Sequence, residues 1–178
     1  MALFAGINEA KNVTFNGQNV ECVLFNGNKI FEAIMNVFKN GVLDPRCTMS
    51  GEFEISDNEI YLETSTRENL KTENAEGCIE MDMTRFSRLI VSGNYYSYRR
   101  DDGHCSIYYG FESSQENILF SSSGSKPDSD SFTIEIDVSD KIGVVEFKVI
   151  TIVQGASDVK ESYDKCFTQC IINEIRLE

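Results

Sequence analysis

His104 is the only histidine in the 178 residues, so it is the first residue to weigh for catalysis. It lies in DDGHCSIYYG, next to Cys105. A Cys/His nucleophile pair needs thiol and imidazole within hydrogen-bond reach. Adjacent residues on a strand point to opposite faces, so these two do not meet, and His104 reads as a structural residue flanking a turn. Paired carboxylates about 5 to 10 Å apart can hydrolyse glycosides. Glu135 and Asp137 alternate with Ile134 and Ile136, which puts them on the solvated face of a strand. SSSGSK, at 121–126, lacks the spacing of a phosphate-binding loop. Cys166-x-x-x-Cys170 is the one tight cysteine pair, and a zinc site would need two further ligands, for which only Cys47 and Cys78 offer themselves. The six cysteines are expected to be reduced thiols within strand-like runs. No catalytic residue and no cofactor follow from these patterns. For a structural Ca²⁺, held by loop carboxylates and carbonyls, the candidates are Asp128 and Asp130 in DSDS and the DDG at 101–103, none with EF-hand spacing.

The chemistry that the sequence does suggest is recognition of sugars. Tyr95, Tyr96 and Tyr98 run into Arg99 and Arg100. A tyrosine ring is apolar on its face and polar at its edge, which suits a sugar with one apolar face and a rim of hydroxyls. Tyr96 and Tyr98 share one strand face and Tyr95 takes the other. Tyr96, Tyr98, Arg99 and Arg100 are therefore the candidate carbohydrate-binding residues. Tyr108 and Tyr109 are expected on a neighbouring strand. The competing reading is that these tyrosines pack a sheet or a subunit contact.

Strands must position such a cluster. After about residue 45 the apolar spacing is two. EFEIS (52–56) and EIYLET (59–64) alternate around a tight Asp57-Asn58 turn, and further strands are expected near 78–83, 88–98, 105–113, 117–121, 131–139, 144–153 and 170–178. In VVEFKVITIV the alternation changes parity near Ile150, which implies a bulge or burial on both faces. One short helical turn is expected around Ala33 to Phe38. Many short strands joined by polar loops predict an all-β protein, an antiparallel, jelly-roll-like β-sandwich of the galactose-binding or carbohydrate-binding-module kind. The polar stretches 64–77, 121–131 and 154–165 are expected loops.

The N-terminal stretch says one thing twice: Phe15, Asn16, Gly17 and then Phe25, Asn26, Gly27. Asn-Gly between extended segments is a strong hairpin signal, because both residues tolerate the positive φ of a type I′ turn. Two such turns predict a three-stranded meander over Asn12–Phe15, Gln18–Phe25 and Asn28–Phe31, too small to bury a core alone. The expected organisation is a β-meander at 1–36, acting as a docking element, and a β-sandwich at 37–178.

The pattern made by Val13, Phe15, Asn16, Gly17, Val20, Val23, Phe25, Asn26, Gly27, Ile30 and Phe31, followed by a sandwich, resembles tail or baseplate-associated structural proteins of phages and prophages of Gram-positive gut bacteria. FKNG (38–41), IEMDMTRFSRLIVSG (79–93), IEIDVSDKIGVVEFKV (134–149) and the closing INEIRLE extend the resemblance through short patterns. Such meanders often end in Trp; Phe31 takes that place here, and the chain contains no Trp. The resemblance implies a virion protein of the tail or an appendage, made in the host bacterial cytoplasm. It would contact other tail proteins, form a homo-oligomer and touch a cell-surface glycan. The alternative is a carbohydrate-binding module of a bacterial surface or polysaccharide-processing system; a hydrolase with an unrecognised carboxylate site is the third reading.

Charge and composition agree with this. The formal net charge is −13, from 16 Lys and Arg against 29 Asp and Glu. Such a surface repels phosphate backbones and anionic lipid, so no nucleic-acid partner is expected. No apolar run approaches the roughly 18 residues of a membrane span. The start, MALFAGINEAKN, has neither the basic nor the long apolar region of a signal peptide.

Overall fold

The computed structural model describes residues 34–99, 102–111, 117–123, 127–157 and 166–178, with four short backbone strands before them. Of those four, β1 (Thr14–Phe15) pairs with β2 (Gln18–Asn19), and β3 (Cys22–Phe25) pairs with β4 (Asn28–Glu32). Phe15 pairs with Gln18 and Phe25 with Asn28, so two residues separate each pair, the length of a tight hairpin loop. Those residues, Asn16-Gly17 and Asn26-Gly27, lie outside the described residues. Of the strand expected over Gln18–Phe25 the described residues are β2 and β3, which pair in separate two-stranded sheets.

The sandwich starts with β5 (Met35–Lys39), where a helical turn had been expected. Met35, Val37 and Phe38 are buried, and pairing of Met35 with Leu177 supplies the ladder that an isolated segment lacks. A six-residue segment has too little intrinsic helix preference to resist that pairing. Met35 and Asn36 thus already belong to the sandwich, ahead of the expected boundary at 37.

One sheet has five strands in the order β13 (Asn117–Ser123), β12 (His104–Gly110), β15 (Val144–Gln154), β10 (Thr72–Asp82) and β7 (Thr48–Gly51). The other has seven, beginning with β14 (Pro127–Asp137), β11 (Arg88–Tyr98) and β16 (Cys166–Leu177). The first part of β16 pairs with β9 (Glu59–Thr66), which carries β8 (Glu54–Ser56); its last part pairs with β5, followed by β6 (Val42–Leu43). Every pairing is antiparallel, and successive strands mostly alternate between the two sheets. This is an antiparallel β-sandwich with jelly-roll-like connections.

Alternation fills the interior. Leu89 and Val91 of β11, Ile172 and Ile175 of β16, and Phe147 and Val149 of β15 point inward and are buried. β15 keeps an unbroken register with both neighbours, so the parity change at Ile150 is burial on both faces and not a bulge. The Asp57-Asn58 turn is present, with φ of 50° and 69°, as a type I′ turn requires. The one deliberate irregularity in β11 lies between Ser92 and Gly93, where the register against β16 shifts. A Cβ on Gly93 would overlap the Ile171 carbonyl oxygen, so only glycine allows this approach. At one end the core turns polar: the Thr64 and Thr151 hydroxyls join the two sheets at 2.6 Å, and Ser97 and Thr168 are fully buried beside them in register.

Candidate functional site

Strand pairing, not chain proximity, builds the outer face of the seven-stranded sheet. Paired residues on neighbouring strands project to the same side. Tyr96 on β11 pairs with Gln169 on β16, which pairs with Glu63 on β9. On one side of that row runs Tyr98, Phe167 and Ser65. On the other runs Asn94, Ile171, Tyr61 and then Glu54 of β8. The inward neighbours Ser97, Thr168, Cys170 and Leu62 are buried, which fixes these rows as the outward ones.

The aromatic part is compact. Tyr96 and Tyr98 are 39% and 37% exposed, so part of each side chain is open to solvent. Phe167 lies against both, with ring centroids 5.4 Å from Tyr96 and 6.4 Å from Tyr98. The sequence signalled the two tyrosines through their shared parity. It gave no sign of Phe167, which arrives from the far end of the chain.

Beside the rings lies a cleft of about 780 Å³ between this face and the segment from Gly51 to Asp57. Its other walls are Tyr61, Glu63 and Gln169. Tyr61 is braced: its hydroxyl donates to Glu59 Oε2 at 2.6 Å, which raises the phenol pKa. Asn173 Nδ2 donates to the other Glu59 oxygen, and Asn94 Nδ2 donates to Asn173 Oδ1 at 3.1 Å. A hydrogen-bonded chain thus runs from β11 through β16 to β9 and fixes the Tyr61 ring beside the cleft.

The remaining sequence candidates separate. Arg99 does not join Tyr96 and Tyr98. It continues the inward parity of Ser97, is only 1% exposed, donates to Ser97 Oγ at 3.1 Å, and lies 5.7 Å from the Phe120 ring centroid. Its guanidinium reaches Asp128 at 3.2 Å. Arg100 lies outside the described residues. Tyr95 also points inward and packs on Phe120 at 4.6 Å. Burial, then Asp128 and Asp130, raise its pKa. Asp128 and Asp130 therefore flank a buried guanidinium and a phenol, and a cation already neutralises Asp128, which is a poor setting for Ca²⁺. Asp102 accepts from the Ser157 backbone N–H at 2.8 Å, and Asp101 is outside the described residues. Among the described residues no three His, Cys, Asp or Glu side chains converge as a metal site. Tyr108 and Tyr109 are not neighbours of the cluster, because β12 crosses to the five-stranded sheet.

His104 approaches Ser121 Oγ at 3.4 Å on the five-stranded sheet, a long contact between exposed groups. Glu135 faces Arg88, and Asp137 accepts the Ser139 N–H at 2.9 Å, so both belong to the solvated edge. The five described cysteines are free, buried thiols. Burial pushes the Cys105 and Cys170 thiols up to about 12, far from nucleophilic thiolates.

No family model and no curated protein matches the chain. Among solved structures it is similar to a mutant of a carbohydrate binding module of family 29, at 12% identity, covering 81% of this chain and 89% of that one, with a TM-score of 0.38. It is also similar to TmCBM61 in complex with β-1,4-galactotriose, at 10% identity over 80% of this chain and 97% of that one, TM-score 0.37. A third is the enzymatically active domain of bacteriophage CBA120 tailspike protein 4, at 12% identity over 80% and 21% of the two chains, TM-score 0.30.

Proposed function

We propose that the protein is a non-enzymatic, glycan-binding structural component of a phage or prophage particle, carried on the tail or an appendage, that helps hold the particle to a host-surface glycan. The observation that carries the binding is the outer sheet face: two half-exposed tyrosine rings against Phe167, beside a cleft rimmed by hydroxyl, amide and carboxylate groups. Sugars present both an apolar ring face and hydrogen-bonding hydroxyls, and this face answers both. The virion setting is supported by the resemblance of the Phe-Asn-Gly stretch and the sandwich patterns to tail-associated proteins. The non-enzymatic reading is supported by His104, which lies on the other sheet, away from the cleft and its carboxylates.

Binding to a glycan array, compared between the wild type and the Tyr96→Ala/Tyr98→Ala variant, tests the reading. Retention by the wild type and its loss in the variant are expected; equal retention of both would refute this face as the binding surface. The same face suits a carbohydrate-binding module of a bacterial surface or polysaccharide-processing system. Immunogold labelling separates the two, since label on purified particles is expected only for the virion component.

A further inference from the structure

From the dimensions and charge of this face, and resting on the glycan-binding reading, we infer the ligand class: a stretch of several units of an extended glycan chain, rich in hydroxyl donors and free of negative charge, lying across the strands. Reach is the first argument. Tyr96 and Tyr98 are two residues apart on one strand, roughly 7 Å, and the steps from β11 through β16 and β9 to β8 add roughly 14 Å across the sheet. A ligand that stacks on the tyrosines and also enters the cleft at Tyr61 spans several sugar rings. Along this line the described rows run from Tyr98 and Tyr96 through Phe167 and Gln169 to Glu63 and Tyr61 at the cleft. The face suits an oligomeric stretch of a polymer better than a single sugar.

Charge is the second argument. Glu52, Glu54 and Asp57 line the cleft beside Glu63, and among the described residues no Lys or Arg lines it. Ionised carboxylates only accept hydrogen bonds, so the ligand must donate. A carboxylate or phosphate on the sugar would meet like charge at close range, and the repulsion grows where the protein surface lowers the effective dielectric. The net charge of −13 acts in the same direction at longer range. Neutral sugars and amino sugars share the required chemistry.

Affinity chromatography of the full chain on immobilised galactan, mannan, dextran and chitosan, beside polygalacturonate and hyaluronate, tests this. Retention on galactan, mannan or dextran at both low and high salt, or on chitosan at low salt, is expected, and on neither acidic polymer at either salt. Chitosan separates a neutral from an amino-sugar ligand, and its retention should weaken with salt. Calorimetry with oligosaccharides of one to six units of the retained polymer should then show affinity rising about tenfold or more from one unit to four, about 1.4 kcal/mol. Equal retention on the acidic polymers, or a monosaccharide that binds as tightly as the tetramer, overturns the inference while leaving glycan binding intact. Retention on none of the polymers and no hit on the glycan array overturn both.

Discussion

Replacing Tyr98 or Tyr96 by alanine removes a ring whose free face can be costed. Each tyrosine is 37 to 39% exposed. Of a side chain covering about 200 Å², that leaves roughly 80 Å² for a ligand. At about 25 cal/mol/Å², covering it contributes up to ~2 kcal/mol, or about thirtyfold in Kd. A flat sugar covers only part of this, so each single variant should weaken binding by about five- to thirtyfold. Both rings rest on Phe167, so the double variant should lose less than the product of the two. Isothermal titration with the retained polysaccharide gives the numbers, and a thermal melt shows that the fold is kept. Tyr98→Phe keeps the stacking face and should stay within about threefold of the wild type. Tyr108→Ala, on the five-stranded sheet, should leave binding unchanged. The reasoning fails if Tyr98→Phe loses as much as Tyr98→Ala, because the ring face would then not carry the affinity. It fails also if Tyr108→Ala weakens binding equally.

Other perturbations probe the frame. Gly93→Ala drives a Cβ into the Ile171 carbonyl and should cost about 1–3 kcal/mol, seen as a lower urea midpoint at unchanged slope; an unchanged midpoint would mean the strand can shift freely. Asp128→Asn removes the Asp128 charge from beside the buried Arg99 guanidinium and should cost about 1–2 kcal/mol, reduced from the fully buried case because Asp128 is 46% exposed. Arg99→Met, which removes the charge and keeps an apolar stem, should cost less than Asp128→Asn, and the reverse order would count against the pair. Cys47, Cys105 and Cys170 have thiols raised by burial to about 11, 12 and 12 from 9.0. Above pH 9 the unfolded chain gives up protons that the folded chain retains, so stability should fall from pH 9 toward about 12. Denaturation midpoints across that range check the sign, and Ellman's reagent at pH 8 should label these three only on unfolding. Removing residues 1–33 spares β5 and should leave the thermal midpoint of the sandwich unchanged while impairing incorporation into particles; a large fall in the midpoint would make those residues part of the core.

Period-two alternation made the sheets legible in the sequence, because a half-buried strand must alternate. Ile134 and Ile136 pointing inward beside Glu135 and Asp137 illustrate it, as does the Asp57-Asn58 turn. β10 shows the limit: it begins at Thr72, well inside an expected polar loop, because its pairing with β15 continues to Gln154. A polar, glycine-containing segment becomes a strand when a long neighbour offers the ladder.

For the candidate site, residue spacing set the parity of Tyr96 and Tyr98 and composition set the acidic balance of the chain, both of which are local or additive properties. What stands next to them comes from long-range strand pairing. Antiparallel register set Phe167 against both rings and Gln169, Glu63 and Tyr61 beside them, from strands remote in sequence. The same parity turned Arg99 inward, where Asp128 and the Phe120 ring offset the loss of water. The crossing of β12 to the opposite sheet removed Tyr108 and Tyr109. Pairing partners depend on how the chain closes on itself, and no local pattern encodes that.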